Sequence, residues 1–140
     1  MTRKLVRVLL VALALMSTNC TYRASISADY PVIDEHNSRN ALDWAGTYAG
    51  VLPCADCAGL ETTLTIREDS SYLLETRLLG QEDHIFVEQG TFTWLEGGNI
   101  IQLNDGTTHY QVGENRLFLL DRRGRRITGD LAAHYILHKE

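Results

Sequence analysis

The chain has 140 residues, 44% hydrophobic and 22% charged, with a formal net charge of −5. That is material for one hydrophobic core and not for two. An acidic balance also excludes a binder of phosphate backbones, which needs clustered cations, so no nucleic-acid partner is expected.

In chain order, Arg3, Lys4 and Arg7 form a basic start, and residues 8–16, VLLVALALM, an uninterrupted apolar block. Nine residues are too few to span a bilayer and suit the apolar region of a secretory signal. Residues 1–19 are therefore expected to be a signal peptide. Cys20 follows directly, as in bacterial lipoproteins, where the thiol is acylated and becomes the first residue of the mature chain. The expected location is the cell envelope, lipid-anchored and facing the periplasm. The alternative is ordinary cleavage near residues 24–28, which yields a soluble periplasmic protein. Without residues 1–19, which hold three of the 13 basic residues and no acid, the net charge is −8. Residues 20–43 are polar with little periodicity and read as the anchor attachment and a flexible tether. A short helical turn is expected at residues 40–44.

Residues 44–140 read as a single domain of short strands. Residues 46–52 (GTYAGVL) begin it. Residues 60–67 (LETTLTIR) place Leu60, Thr62, Leu64 and Ile66 on one face and charged or hydroxyl residues on the other, the signature of a half-buried strand. After the turn cluster 68–71 come strands at 72–79 and 86–96. Gly90, inside the second, marks a bulge or a close approach by another strand. Strands at 99–103 and 107–112 flank the hairpin signal Asp105-Gly106, and strands at 116–120 and 133–138 complete the set. The cluster Arg122-Arg123-Gly124-Arg125-Arg126 reads as a solvated hairpin tip.

About eight short strands with hairpin-length connections predict an all-β fold, a small antiparallel up-and-down barrel. Closure removes the exposed edges that a small sheet would otherwise present. A barrel of this size is filled by side chains or holds one small ligand.

Cys54 and Cys57 lie in the connection VLPCADCAGL between the first two strands. A disulfide there closes a tiny loop, so its entropic contribution sits at the low end of the usual ~2–4 kcal/mol. Weak stabilisation suits a sensor or a metal site better than a staple. Thioredoxin-type chemistry needs a helix beginning at the first cysteine, and an alternating strand follows instead. Two thiolates make half of a tetrahedral zinc site. Soft copper(I) is satisfied by two sulfurs, or by two sulfurs and one imidazole from His84, His109, His134 or His138. Asp56, between the cysteines, is a candidate accessory to cation capture, although an ordinary turn residue is the simpler reading.

The stretch WAGTYAGVLPCADCAGLETTLTI, residues 44–66, resembles the N-terminal domain of the NlpE family of envelope lipoproteins. The likeness continues through Gly90-Thr91-Phe92, Ile101-Gln102-Leu103 and Leu120-Asp121-Arg122-Arg123-Gly124. The resemblance implies a small β-barrel similar to a shortened lipocalin, tethered to the outer membrane through Cys20. It also implies involvement in copper handling and in signalling to an envelope stress-response protein, with Cys54 and Cys57 as the metal or redox residues. Longer family members carry a second, C-terminal domain that these 140 residues lack. The alternative function is lipocalin-like binding of a small apolar ligand, such as a lipid or lipoprotein intermediate. No nucleophile–base arrangement, phosphate loop or carboxylate pair stands out, so no enzyme activity is expected.

Overall fold

The computed structural model describes residues 36–81 and 84–140. The expected signal peptide, Cys20 and most of the expected tether lie outside the described residues. Among the described residues nine strands form: β1 (Gly46–Leu52), β2 (Leu60–Ile66), β3 (Ser71–Leu78), β4 (Ile85–Thr91), β5 (Thr93–Leu95), β6 (Ile100–Gln102), β7 (His109–Gly113), β8 (Arg116–Leu119) and β9 (Ile136–Lys139). They pair antiparallel in one sheet of order β4-β3-β2-β1-β9-β8-β7-β6-β5. The two terminal strands, β4 and β5, are consecutive in the chain. The sheet therefore curls back on itself into a nearly closed barrel, as the alternating pattern and short connections demand.

The ninth strand comes from residues 86–96, which the sequence reads as one element. The ladder with β3 ends at Phe92, beyond which Thr93–Leu95 pair with β6; the Phe92 ring faces the core, where it packs edge-on against Trp44 and Trp94, 5.9 Å away in each case. The Phe92 backbone N–H donates to the Ser70 carbonyl (2.8 Å), the last bond in the β3–β4 register. Gly90 lies where a close approach was expected: a Cβ there would sit 3.2 Å from Asn104 Cβ and from the Tyr72 ring.

A second correction concerns residues 133–138, where Ala132–Tyr135 is a 3-10 turn and pairing begins only at Ile136. The short helical turn also falls earlier than expected, as α1 at Ser38–Ala41. It is capped by the Asn37 side chain, which accepts from the Asn40 N–H. Ser38 stitches this turn to the barrel. Its N–H and hydroxyl donate to Asn99 Oδ1 (3.0 and 3.2 Å), and the hydroxyl also reaches the Val112 carbonyl (2.7 Å).

The barrel interior is filled. Tyr48, Tyr72, Tyr110, Leu64, Ile66, Ile101, Leu103, Leu117 and Leu137 are all buried, and each large apolar side chain so placed contributes about 1.5–3 kcal/mol relative to exposure. Two of the phenols keep partners. Tyr48 Oη donates to the Trp44 carbonyl (2.6 Å), and Tyr72 Oη donates to the Glu88 carboxylate. Burial, reinforced by Asp43, pushes the Tyr48 phenol up to about 12. Burial, then the hydrogen bond to Glu88, does the same for Tyr72.

At the arginine-rich turn, the Asp121 carboxylate accepts from the backbone N–H groups of Arg123 and Arg125 and pairs with the Arg125 guanidinium at 2.9 Å. Arg126 stacks on Phe118, 3.4 Å from the ring centroid, a cation–π contact. Two of the four arginines are thus folded back onto their own hairpin.

Candidate functional site: the disulfide loop

β1 and β2 pair along their whole length, from Gly46↔Ile66 to Leu52↔Leu60. The seven residues 53–59 between them therefore form an outward loop at the end of a continuous ladder. Pro53 ends β1, having no N–H to continue the pairing. The Gly59 carbonyl accepts from the Leu79 N–H (3.0 Å) and ties the base of the loop to the end of β3.

Within the loop, Cys54 and Cys57 are joined by a disulfide with a Cα–Cα distance of 5.3 Å, inside the usual 4.4–6.8 Å. Both cysteines are half-buried, while Ala55 and Asp56 between them are exposed. Cys57 Sγ lies 3.4 Å from the Gly59 carbonyl oxygen. As a disulfide sulfur it has no proton to donate; the contact becomes a hydrogen bond only when the pair is reduced. No helix follows Cys57, because β2 begins at Leu60. The dipole that activates thioredoxin-type cysteines is therefore absent from this loop, in agreement with the sequence.

A surface recess of about 270 Å³ opens beside the disulfide, lined by Leu52, Pro53, both cysteines, Leu131 and His134. Of the four imidazoles named from the sequence, only His134 lines it, carried there by the 3-10 turn before β9. His109 is engaged elsewhere, with its ring nitrogens 3.0 Å from Gln102 Nε2 and from the Thr107 carbonyl. His138 sits on β9 opposite Ala49 and Arg116, and His84 precedes β4. Nothing in the sequence distinguished His134, which is distant in the chain and lies in a stretch that reads as strand.

Among the described residues, no three His, Cys, Asp or Glu side chains are grouped to hold a metal ion. Bonded to each other, the two sulfurs offer no thiolate. The loop in this oxidised form does not fit a metal. Two-electron reduction would present two thiolates on one loop, a donor set suited to a soft monovalent cation.

The model of the NlpE N-terminal domain family matches residues 48–130. Lipoprotein NlpE of Escherichia coli K12 is 35% identical over 86 residues, which are 58% of this chain and 36% of that protein. The match thus spans about a third of that relative's length. A solved structure described as a lipoprotein from Shewanella oneidensis is 52% identical, with 75% of this chain and 96% of that one covered and a TM-score of 0.71. The crystal structure of NlpE from Escherichia coli, described as a Cpx pathway activator, is 32% identical over 61% of this chain and 46% of that one, with a TM-score of 0.50.

Proposed function

The chain belongs to the NlpE N-terminal domain family, and from that premise we propose that it is an envelope lipoprotein whose Cys54–Cys57 loop reports copper or thiol status to an envelope stress-signalling protein. In this reading Cys20 carries the lipid and the barrel stands on the periplasmic side of the outer membrane. The role is non-enzymatic. One observation carries it: the disulfide lies in a half-exposed loop beside a recess, outside the core. A bond closing so short a loop contributes about 2 kcal/mol at most. The barrel's interior packing does not depend on it, so the pair can open and close while the fold persists.

The two redox states differ in chemistry. The oxidised pair takes up no cation. The reduced pair presents Cys54 and Cys57 as thiolate ligands, with His134 lining the same recess; copper(I), if bound there, would hold the loop in its reduced form. Asp56 at the crown adds negative charge to attract a cation. The test is alkylation of the reduced full chain with and without stoichiometric copper(I). Protection of both cysteines is expected, and unchanged labelling would remove copper from the reading. A pair that dithiothreitol cannot reduce while the barrel stays folded would remove thiol sensing as well. The intact mass of membrane-extracted protein tests the anchor: residues 20–140 plus acyl chains are expected, and an unacylated mass would overturn it.

A further inference from the structure

β4 is a terminal strand of the sheet, and among the described residues it pairs only with β3. Its three hydrophobic residues are consecutive and exposed: Ile85 at 55%, Phe86 at 63% and Val87 at 60%. The register places Ile85 beside Arg77 and Val87 beside Glu75 on the outer face. Phe86, beside Thr76, belongs to the barrel-facing side. Phe86 is nevertheless exposed, so among the described residues neither face of this end of β4 is covered. A strand apolar on both faces is a pattern of strands covered on both faces and paired on both edges. Soluble proteins rarely leave such an edge open, because its free N–H and C=O groups template another strand.

We propose that this edge is the dimer interface of the protein, β4 pairing antiparallel with β4 of a second copy about a twofold axis through Phe86. The strand is self-complementary in that register. Phe86 meets Phe86 of the second copy on one face, and Ile85 meets Val87 of the second copy on the other. His84 meets Glu88 of the second copy, a donor opposite a carboxylate at each end of the apolar centre. Cross-strand aromatic, aliphatic and donor–acceptor pairs of these kinds are the stabilising units of a sheet. Moving the axis to Val87 would instead set Phe86 against Glu88 and Ile85 against Gln89. The interface is one strand wide, which places it among weak, concentration-dependent associations.

Cysteine cross-linking tests both the dimer and its register. The full chain carrying Phe86→Cys, Val87→Cys or Thr93→Cys is oxidised with diamide in intact producing cells and separated on non-reducing gels. Only the residue on the axis meets its own copy at the ~4.5–5.5 Å separation of directly opposed residues, so Phe86→Cys is expected to give about tenfold more dimer than either other variant. Adding His84→Glu, which sets two carboxylates face to face, should lower that yield several-fold. Equal cross-linking at positions 86 and 87 would overturn the register. A Phe86→Cys variant that stays monomeric would overturn the dimer, whether maleimide labels it or finds it covered by another part of the chain or another protein.

Discussion

Replacing Tyr48 with Phe removes one oxygen from the centre of the barrel and leaves the ring in place. That hydroxyl donates at 2.6 Å to the Trp44 carbonyl and holds the entry segment of the domain against β1. Losing one neutral hydrogen bond costs about 1 kcal/mol, so at pH 7 the variant should be less stable by that amount. Raising the pH reverses the order. The phenol titrates at 10.0 when free and at about 12 in the fold, so the native state favours the protonated form. The associated stability is fully present below pH 10 and is lost as the pH rises through 12. At about 1.4 kcal/mol per unit, the natural protein forfeits up to about 2.7 kcal/mol over that window, and Tyr48→Phe forfeits none of it. The two stability curves should cross near pH ~10.7, where the alkaline loss equals the hydrogen bond's worth. Tyr72 and Tyr110 titrate in both proteins and cancel in the difference. Urea unfolding followed by fluorescence of Trp44 and Trp94, from pH 7 to pH 11.5, measures both curves. An offset that stays constant across the range would refute the reasoning, because it would mean that the Tyr48 hydroxyl is not sealed from water.

Two other substitutions probe different terms. Gly50→Ala should cost about 1–3 kcal/mol in urea unfolding, because the new Cβ would lie 2.8 Å from the Ile136 carbonyl and 3.1 Å from Leu137 Cδ2 where β1 passes β9; a neutral result would mean that β9 shifts freely. Burial works against the Asp105 carboxylate, but hydrogen bonds from the hydroxyls and N–H groups of Thr108 and Thr107 prevail and hold it down to about 2. A depressed carboxylate stabilises the fold above its free value of 3.8 and loses that contribution as the pH falls through about 2. Discounted for solvent screening, the contribution is about 1 kcal/mol. Asp105→Asn should therefore be less stable at pH 7 and indistinguishable from the natural protein near pH 2, as measured by urea midpoints; a difference that persists in acid would contradict this.

The alternation of apolar and polar residues was enough to read an all-β barrel and the full extent of β1, because that pattern is local and states directly which side of a strand meets water. The connection carrying Cys54 and Cys57 was equally legible. Two cysteines separated by two residues between paired strands lie within reach of each other, and the surrounding residues carry the family likeness; that they are joined, and not free, was left open by the sequence. The break at Phe92 was not legible. A phenylalanine suits a strand interior and its N–H keeps the β3–β4 register at Ser70; only the curl of the sheet passes the chain beyond it from pairing with β3 to pairing with β6.

The same distinction separates the rest of the molecule. Residue order alone determined most of the strands and turns, since those depend on neighbours within a few positions, but not the break at Phe92 or the 3-10 turn at Ala132–Tyr135. Tertiary structure decided which of four histidines lines the recess beside the disulfide, that three tyrosines fill the barrel, and that Ile85, Phe86 and Val87 are left uncovered. Each of these depends on which distant strands pack against a residue, and hydrophobic burial is indifferent to the order in which its partners occur along the chain.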